Sequence, residues 1–209
     1  MNNRIGRYWL LSTFWFASAS VAQMGTVPPD VLVRTVTNEV LSVLRNDKDV
    51  PTGSDQKAIE LIETKVQQHF DFMRMARLAV GRDWKKANEV QRRQIADEFH
   101  TLLVRTYAKA LTGFSDQTMK YRPFKMNRGA TDVKVGVRVV QSGVAPVSLN
   151  YYLGKTPTGW QVYDIEAGGI SLVINYRRTF ADEIRNNGVE GLIKSLRAKN
   201  QDGVAEERN

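Results

Sequence analysis

One α+β domain, with N-terminal and C-terminal helices packed on one face of a twisted antiparallel sheet, is what this sequence predicts. Apolar residues recur every three or four positions through the first half and again near the end, the spacing of helices with one buried face. Between Val133 and Ile165 the period falls to two, the mark of strands with one buried face. The chain also has no cysteine, so no disulfide framework holds the fold and a packed core must.

The chain opens on a different kind of segment. Arg4 and Arg7 precede an uncharged, mostly apolar run from Tyr8 to Ala19, and Ser20-Val21-Ala22 then places small residues at minus three and minus one. This is the pattern of a secretory signal peptide, cut between Ala22 and Gln23. The run is well short of the roughly 20 residues a membrane-spanning helix needs. The working domain is then 23–200, with a polar, frayed tail over 201–209. Lys and Arg number 30 against 22 Asp and Glu, a net charge of +8, and cleavage would remove two of those cations. A basic surface of this kind suits anionic partners, and export makes nucleic acid an unsuitable one.

The elements follow in order. Asp30 can cap a helix begun after Pro28-Pro29, with Val33, Val36, Val40 and Val43 or Leu44 on its stripe. Asn46 to Asp55 carries Pro51 and Gly53 and reads as a loop. From Gln56 a second helix runs through Ile59, Ile62, Val66, Phe70, Met73 and Val80 and stops at Gly81. Asn88 with Gln91 resembles a capping box; the third stripe is Ile95, Phe99, Leu102, Leu103, Tyr107, Ala110 and Leu111, ending at Gly113. A weak strand is expected over Thr118 to Phe124. Val133, Val135, Val137 and Val139 then alternate with other residues; Gly143 to Pro146 turns the chain into Val147, Leu149, Tyr151 and Leu153. A turn over Lys155 to Gly159 leads into Trp160 to Ile165. Short turns between consecutive strands predict an antiparallel meander. After Gly168-Gly169 the pattern is helical again, with Tyr176, Phe180 and Ile184, then Leu192, Ile193 and Leu196 beyond Gly188.

The catalytic inventory is thin. There is no thiol, and no G-x-S-x-G elbow, H-E-x-x-H pair, P-loop or G-x-G-x-x-G occurs. His69 and His100 stand at helix stripe edges as half-exposed histidines. Asp164, between Tyr163 and Ile165, is the acid best placed for burial, and hydrogen bonding near a turn accounts for it. Nothing assembles a nucleophile, a base and an orienting group, and no metal-ligating motif stands out. The apolar inventory is richer. Phe70, Phe72, Met73 and Met75 put large, soft side chains on more than one face of one helix, and methionine suits surfaces that adapt their shape. An ordinary core and an apolar ligand cavity both fit this pattern.

Three blocks carry a resemblance. His69 to Trp84 reads HFDFMRMARLAVGRDW; Gln91-Arg92 leads to Glu98-Phe99 and to Leu102 to Tyr107; Trp160 to Ile165 is followed by Gly169 to Val173, Asn175-Tyr176-Arg177 and Phe180. In this order they resemble the MlaC-type toluene-tolerance family of periplasmic phospholipid-binding shuttle proteins. The chain departs from the family's pattern at Asn88-Glu89-Val90, which keeps a capping residue, and at Gly168, where relatives often carry an acid.

The resemblance implies a soluble periplasmic carrier that is not an enzyme and needs no cofactor, with bound phospholipid as cargo. It would be a monomer that exchanges lipid between an outer-membrane lipoprotein–porin complex and an inner-membrane ABC transporter with its substrate-binding component, maintaining outer-membrane lipid asymmetry. The physics agrees: acyl chains cost about 0.8 kcal/mol per exposed CH₂, so a tail of ~16 carbons needs enclosure to cross water. The lining is then expected from Val135, Val137, Val139, Val147, Leu149, Tyr151 and Trp160 of the sheet, Phe72, Met75, Phe99, Leu103 and Tyr107 of the helices, and Leu172 and Val173 beyond the sheet. A register slip of one residue would exchange the sheet's faces. The rival readings are a small isomerase- or dehydratase-like enzyme around Asp164 and a solid-core adaptor protein.

Overall fold

The computed structural model describes residues 26–46, 59–60, 62–112 and 117–206. The signal peptide and its cut site, most of the expected loop after Asn46, and Gly113 lie outside the described residues, as do the side chains of Val43, Leu44, Ala110 and Leu111.

Helix α1 is Pro29–Asn46. It begins two residues earlier than a cap at Asp30 would give, because proline's fixed φ suits the first helical position. Asp30 therefore sits in the first turn, where a carboxylate favours the helix dipole, instead of at the cap. Val33, Val40 and Leu41 are buried.

The second expected helix is interrupted. The chain winds as a π-turn over Ile62–Val66 and a 3₁₀ turn over Gln67–His69. Phe70 then extends and forms a parallel bridge with Val162, and the Asp71 amide donates to the Val162 carbonyl at 2.9 Å. Helix α2, Phe72–Val80, restarts from Asp71, whose carboxylate accepts from the Arg74 amide at 2.8 Å. The apolar spacing runs unbroken across this point, but aspartate is a strong N-cap and a poor helix-interior residue. Met73, expected on the buried stripe, is exposed in consequence.

Helix α3, Glu89–Thr112, starts from the reciprocal capping box its sequence predicts: Asn88 and Gln91 each accept from the other's amide at 2.9 Å. The sheet is a meander in the order β1 (Thr118–Tyr121), β2 (Asp132–Gln141), β3 (Val144–Thr156), β4 (Gly159–Ala167) and β5 (Ile170–Ser171), antiparallel throughout. The turn from β2 to β3 is tighter than Gly143 to Pro146, since β3 already begins at Val144. The short β5 was not expected; Gly168 and Gly169, with φ of 58° and 88°, make the two-residue hairpin that pairs Ala167 with Ile170. Positive φ at both central residues favours glycine, which gives the departure at Gly168 a structural reason.

A β-bulge decides which side chains of β4 face inward. Tyr152 pairs with Asp164 and Leu153 with Val162, so Tyr163 is an extra residue. Trp160 and Val162 face inward before it, Ile165 and Ala167 after it. Without the bulge, strict alternation would aim Asp164 at the apolar face.

Helix α4, Arg177–Glu206, kinks at Gly188 and reaches into the segment expected to fray. Two apolar clusters result. One joins α2, α3 and α4 and centres on Phe99, Phe180, Ile95 and Leu196; the other joins α1 to the sheet through Val33, Val135, Val137 and Leu153.

Candidate functional site

Between the two clusters lies a cavity of about 440 Å³, within the roughly 300–1,000 Å³ range of ligand pockets. Helix α1 forms one wall with Leu32, Val36 and Leu41; α2 and α3 contribute Phe72, Met75, Leu103 and Tyr107; the sheet supplies Leu149, Tyr151, Ile165 and Ala167. Val66, His69 and Phe70 of the interrupted segment close one side. Thr37, His69, Tyr107 and Tyr151 are the lining residues with polar side-chain atoms.

The interrupted segment positions much of this wall. Because Phe70 is tied to β4 by main-chain hydrogen bonding, the next two aromatics are set in sequence: Phe70 stacks on Phe72 at 5.8 Å between ring centroids, and Phe72 lies against the His100 ring at 4.1 Å. Burial pushes the His100 imidazole pKa down, against the raising pull of Glu63 and Asp97. Burial also pushes the Tyr107 phenol up to about 12, with Tyr176 adding to the effect. Both shifts favour the neutral form of the group.

Of the expected lining residues, Phe72, Met75, Leu103, Tyr107, Leu149, Tyr151 and Leu172 border the cavity. The other seven lie elsewhere. Phe99 and Val173 are wholly buried in the helical cluster, where Phe99 meets Tyr176 and Phe180 edge-on at 5.1 and 5.2 Å. Val135 and Val137 share the inward face as expected, opposite Tyr151 and Leu149 respectively. They are short side chains beside taller neighbours, so they form packed floor; Val137 is 0 % exposed. Val139 and Trp160 are likewise buried off the lining. Val147 is 43 % exposed; β4 ends opposite Leu149, so among the described strands only β2 pairs with β3 there.

Residue-by-residue reading missed the contribution of α1, since a valine stripe covering a sheet and one covering a void have the same period. Thr37 was the available signal: a hydroxyl within an otherwise apolar stripe calls for a partner or a ligand. Asp164 is committed structurally, accepting from the Ser171 hydroxyl at 2.6 Å and the Val173 amide at 3.2 Å. That clasp fixes the turn carrying Leu172 into the cavity wall. Among the described residues, no group of His, Asp or Glu is arranged to hold a metal ion. No helix among them is long and apolar enough to cross a membrane.

A family model described as MlaC protein matches residues 34–198. The chain belongs to the MlaC family. The match takes in the whole cavity wall except Leu32 and Val33 at the start of α1. Among relatives, the chain is 20% identical over 191 residues to the intermembrane phospholipid transport system binding protein MlaC of Haemophilus influenzae, spanning 90% of this chain and 88% of that one. It is 27% identical over 104 residues to the toluene tolerance protein ttg2D of Pseudomonas putida, about half of each chain. Among solved structures it is similar to a phospholipid-binding protein from Ralstonia solanacearum in complex with a phospholipid. That likeness has a TM-score of 0.77 and 39% identity, over 84% of this chain and 98% of the other.

Proposed function

We propose that this MlaC-family protein is a periplasmic carrier that holds a glycerophospholipid by its acyl chains in the cavity between α1, the helices and the sheet. The observation that carries the reading is the cavity itself: a partly open space walled almost entirely by apolar side chains, which suits acyl chains better than water. The likeness to a chain solved with a phospholipid supports the cargo. Phe72, Met75, Leu103, Tyr107, Leu149, Tyr151 and Leu172 then contact the tails. No bond is made or broken in this function, and the residues a rival enzyme would draw on are committed to structure.

The remaining parts of the reading rest on the family and the N-terminal pattern. Cleavage after Ala22 releases the domain into the periplasm. There, as a monomer, it exchanges lipid between an outer-membrane lipoprotein–porin complex and an inner-membrane ABC transporter with its substrate-binding component, and so maintains lipid asymmetry. The test is mass spectrometry of an organic extract of natively purified protein. Near-stoichiometric phospholipid is expected, and stripping it should lower the melting temperature by several degrees, because a ligand bound only to the folded state stabilises by mass action. A chain that purifies empty and melts unchanged after exposure to phospholipid would refute the carrier.

A further inference from the structure

The polar side chains of the cavity wall are not scattered. Thr37 of α1 and Tyr151 of β3 both line it, and the Thr37 hydroxyl faces the phenols of Tyr151 and Tyr121 together. Tyr121 lies at the end of β1 and donates its hydroxyl to Asn38 Oδ1 at 3.2 Å. Above it stands a cation: the Arg34 guanidinium carbon is 4.3 Å from the Tyr121 ring centroid. Arg34, Thr37 and Asn38 fall at i, i+3 and i+4 of α1, so one helix face presents guanidinium, hydroxyl and amide in a single turn. Arg34 and Asn38 are exposed, while Tyr121 and Thr37 are half-buried. The group therefore runs from solvent into the cavity.

The other polar wall residues differ. Tyr107 is turned towards Tyr176, and His69 stands in the interrupted segment. Among the described residues no carboxylate pairs with Arg34, and its guanidinium face rests on the Tyr121 ring. A guanidinium seated on an aromatic face keeps its planar fork available for an oxyanion.

Resting on the carrier reading, we infer that Arg34 and Asn38, seated on Tyr121, bind the phosphodiester of the lipid at the α1–β1 rim. Thr37 and Tyr151 then meet the glycerol ester oxygens just inside, and the acyl chains run from there into the apolar remainder. The cavity thus has a polar end that fixes which way the lipid lies and selects a phosphate-bearing lipid over a neutral one with the same tails.

The test uses delipidated mature protein loaded in parallel with palmitoyl-oleoyl phosphatidylglycerol and palmitoyl-oleoyl-glycerol, which shares the tails and lacks the phosphate. The native protein should retain the phospholipid roughly tenfold better, the scale of one charge-assisted hydrogen bond. Arg34→Gln should remove most of that preference while leaving retention of the neutral lipid unchanged, and Arg34→Lys should fall between. Circular dichroism and melting of each variant report the fold, which an exposed side chain should leave intact. If Arg34→Gln lowers both lipids equally, or neither, the residue is a latch between α1 and β1 and the inference is overturned. If inorganic phosphate binds at this rim in the native protein while Arg34→Gln leaves phospholipid retention untouched, the rim is a free-phosphate site and the inference again falls. Retention of neither lipid by the native protein would instead remove the carrier reading, and this inference with it.

Discussion

The α2–α3–α4 cluster and the α1–sheet cavity are built from the same kind of sequence, yet one is solid and the other hollow. In the helical cluster small residues at the contacts, Ala76, Ala79 and Ala96, let the helices approach closely. Phe99, Tyr176 and Phe180 fill the centre, with ring centroids 5.1 to 5.6 Å apart. On the other side α1 lies over the sheet's inward face, and the interrupted segment at Phe70 is tied to β4. Large residues there line a wall without meeting across it. The lesson is that apolar character sets burial, whereas the main-chain tie at Phe70 and Asp71 sets how far apart the buried surfaces stand.

Substitutions should separate the two regions. Phe180→Ala in the solid cluster should cost about 3–5 kcal/mol through the cavity it opens, read by chemical denaturation. Part of that loss should persist in fully lipid-loaded protein. A smaller loss, recovered by adding phospholipid, would mean that the cluster is not solid.

Charges placed on neighbouring strands sharpen the contrast. Val137 and Leu149 are cross-strand partners, but Val137 is packed floor and Leu149 is wall. Val137→Glu should fail to fold, since an unpaired buried charge costs several kcal/mol. Leu149→Arg should fold, because its charge can hydrate in the emptied space, and should extract with little phospholipid. Circular dichroism and lipid extraction on the two variants check this; identical behaviour would mean floor and wall are not distinct.

Tyr107 stands on the boundary, packed against the helical cluster and lining the cavity, and its effect should be the smallest. Its phenol is raised from 10.0 to about 12 in the fold. The unfolded chain releases that proton first, so the stabilisation is whole below pH 10 and is lost as pH rises towards 12. Tyr107→Phe should therefore shallow the alkaline fall in melting temperature. Tyr121, Tyr151 and Tyr163 are also raised by burial, so the slope should shrink without vanishing. An unchanged slope would place Tyr107 in contact with water.

Much of the fold was legible in the chain. The period of two gave the central strands and their inward valines, the Asn88–Gln91 pair gave the start of α3, and the three motif blocks gave the family. These are local matters, settled by which residues alternate and which side chains reach their own backbone. Three things were not local. The break at Phe70 and Asp71 depends on a main-chain partner at Val162, some ninety residues away, which no apolar spacing announces. The bulge at Tyr163 depends on how β4 registers against β3, and it turns Asp164 from the apolar face into a clasp on Ser171 and Val173. Whether an apolar wall meets its neighbour or leaves a space depends on the distance between elements, which burial patterns do not encode. The sequence by itself determined most of what would be buried, Met73 and Val147 excepted; only the tertiary structure decided that part of the buried surface would face a cavity.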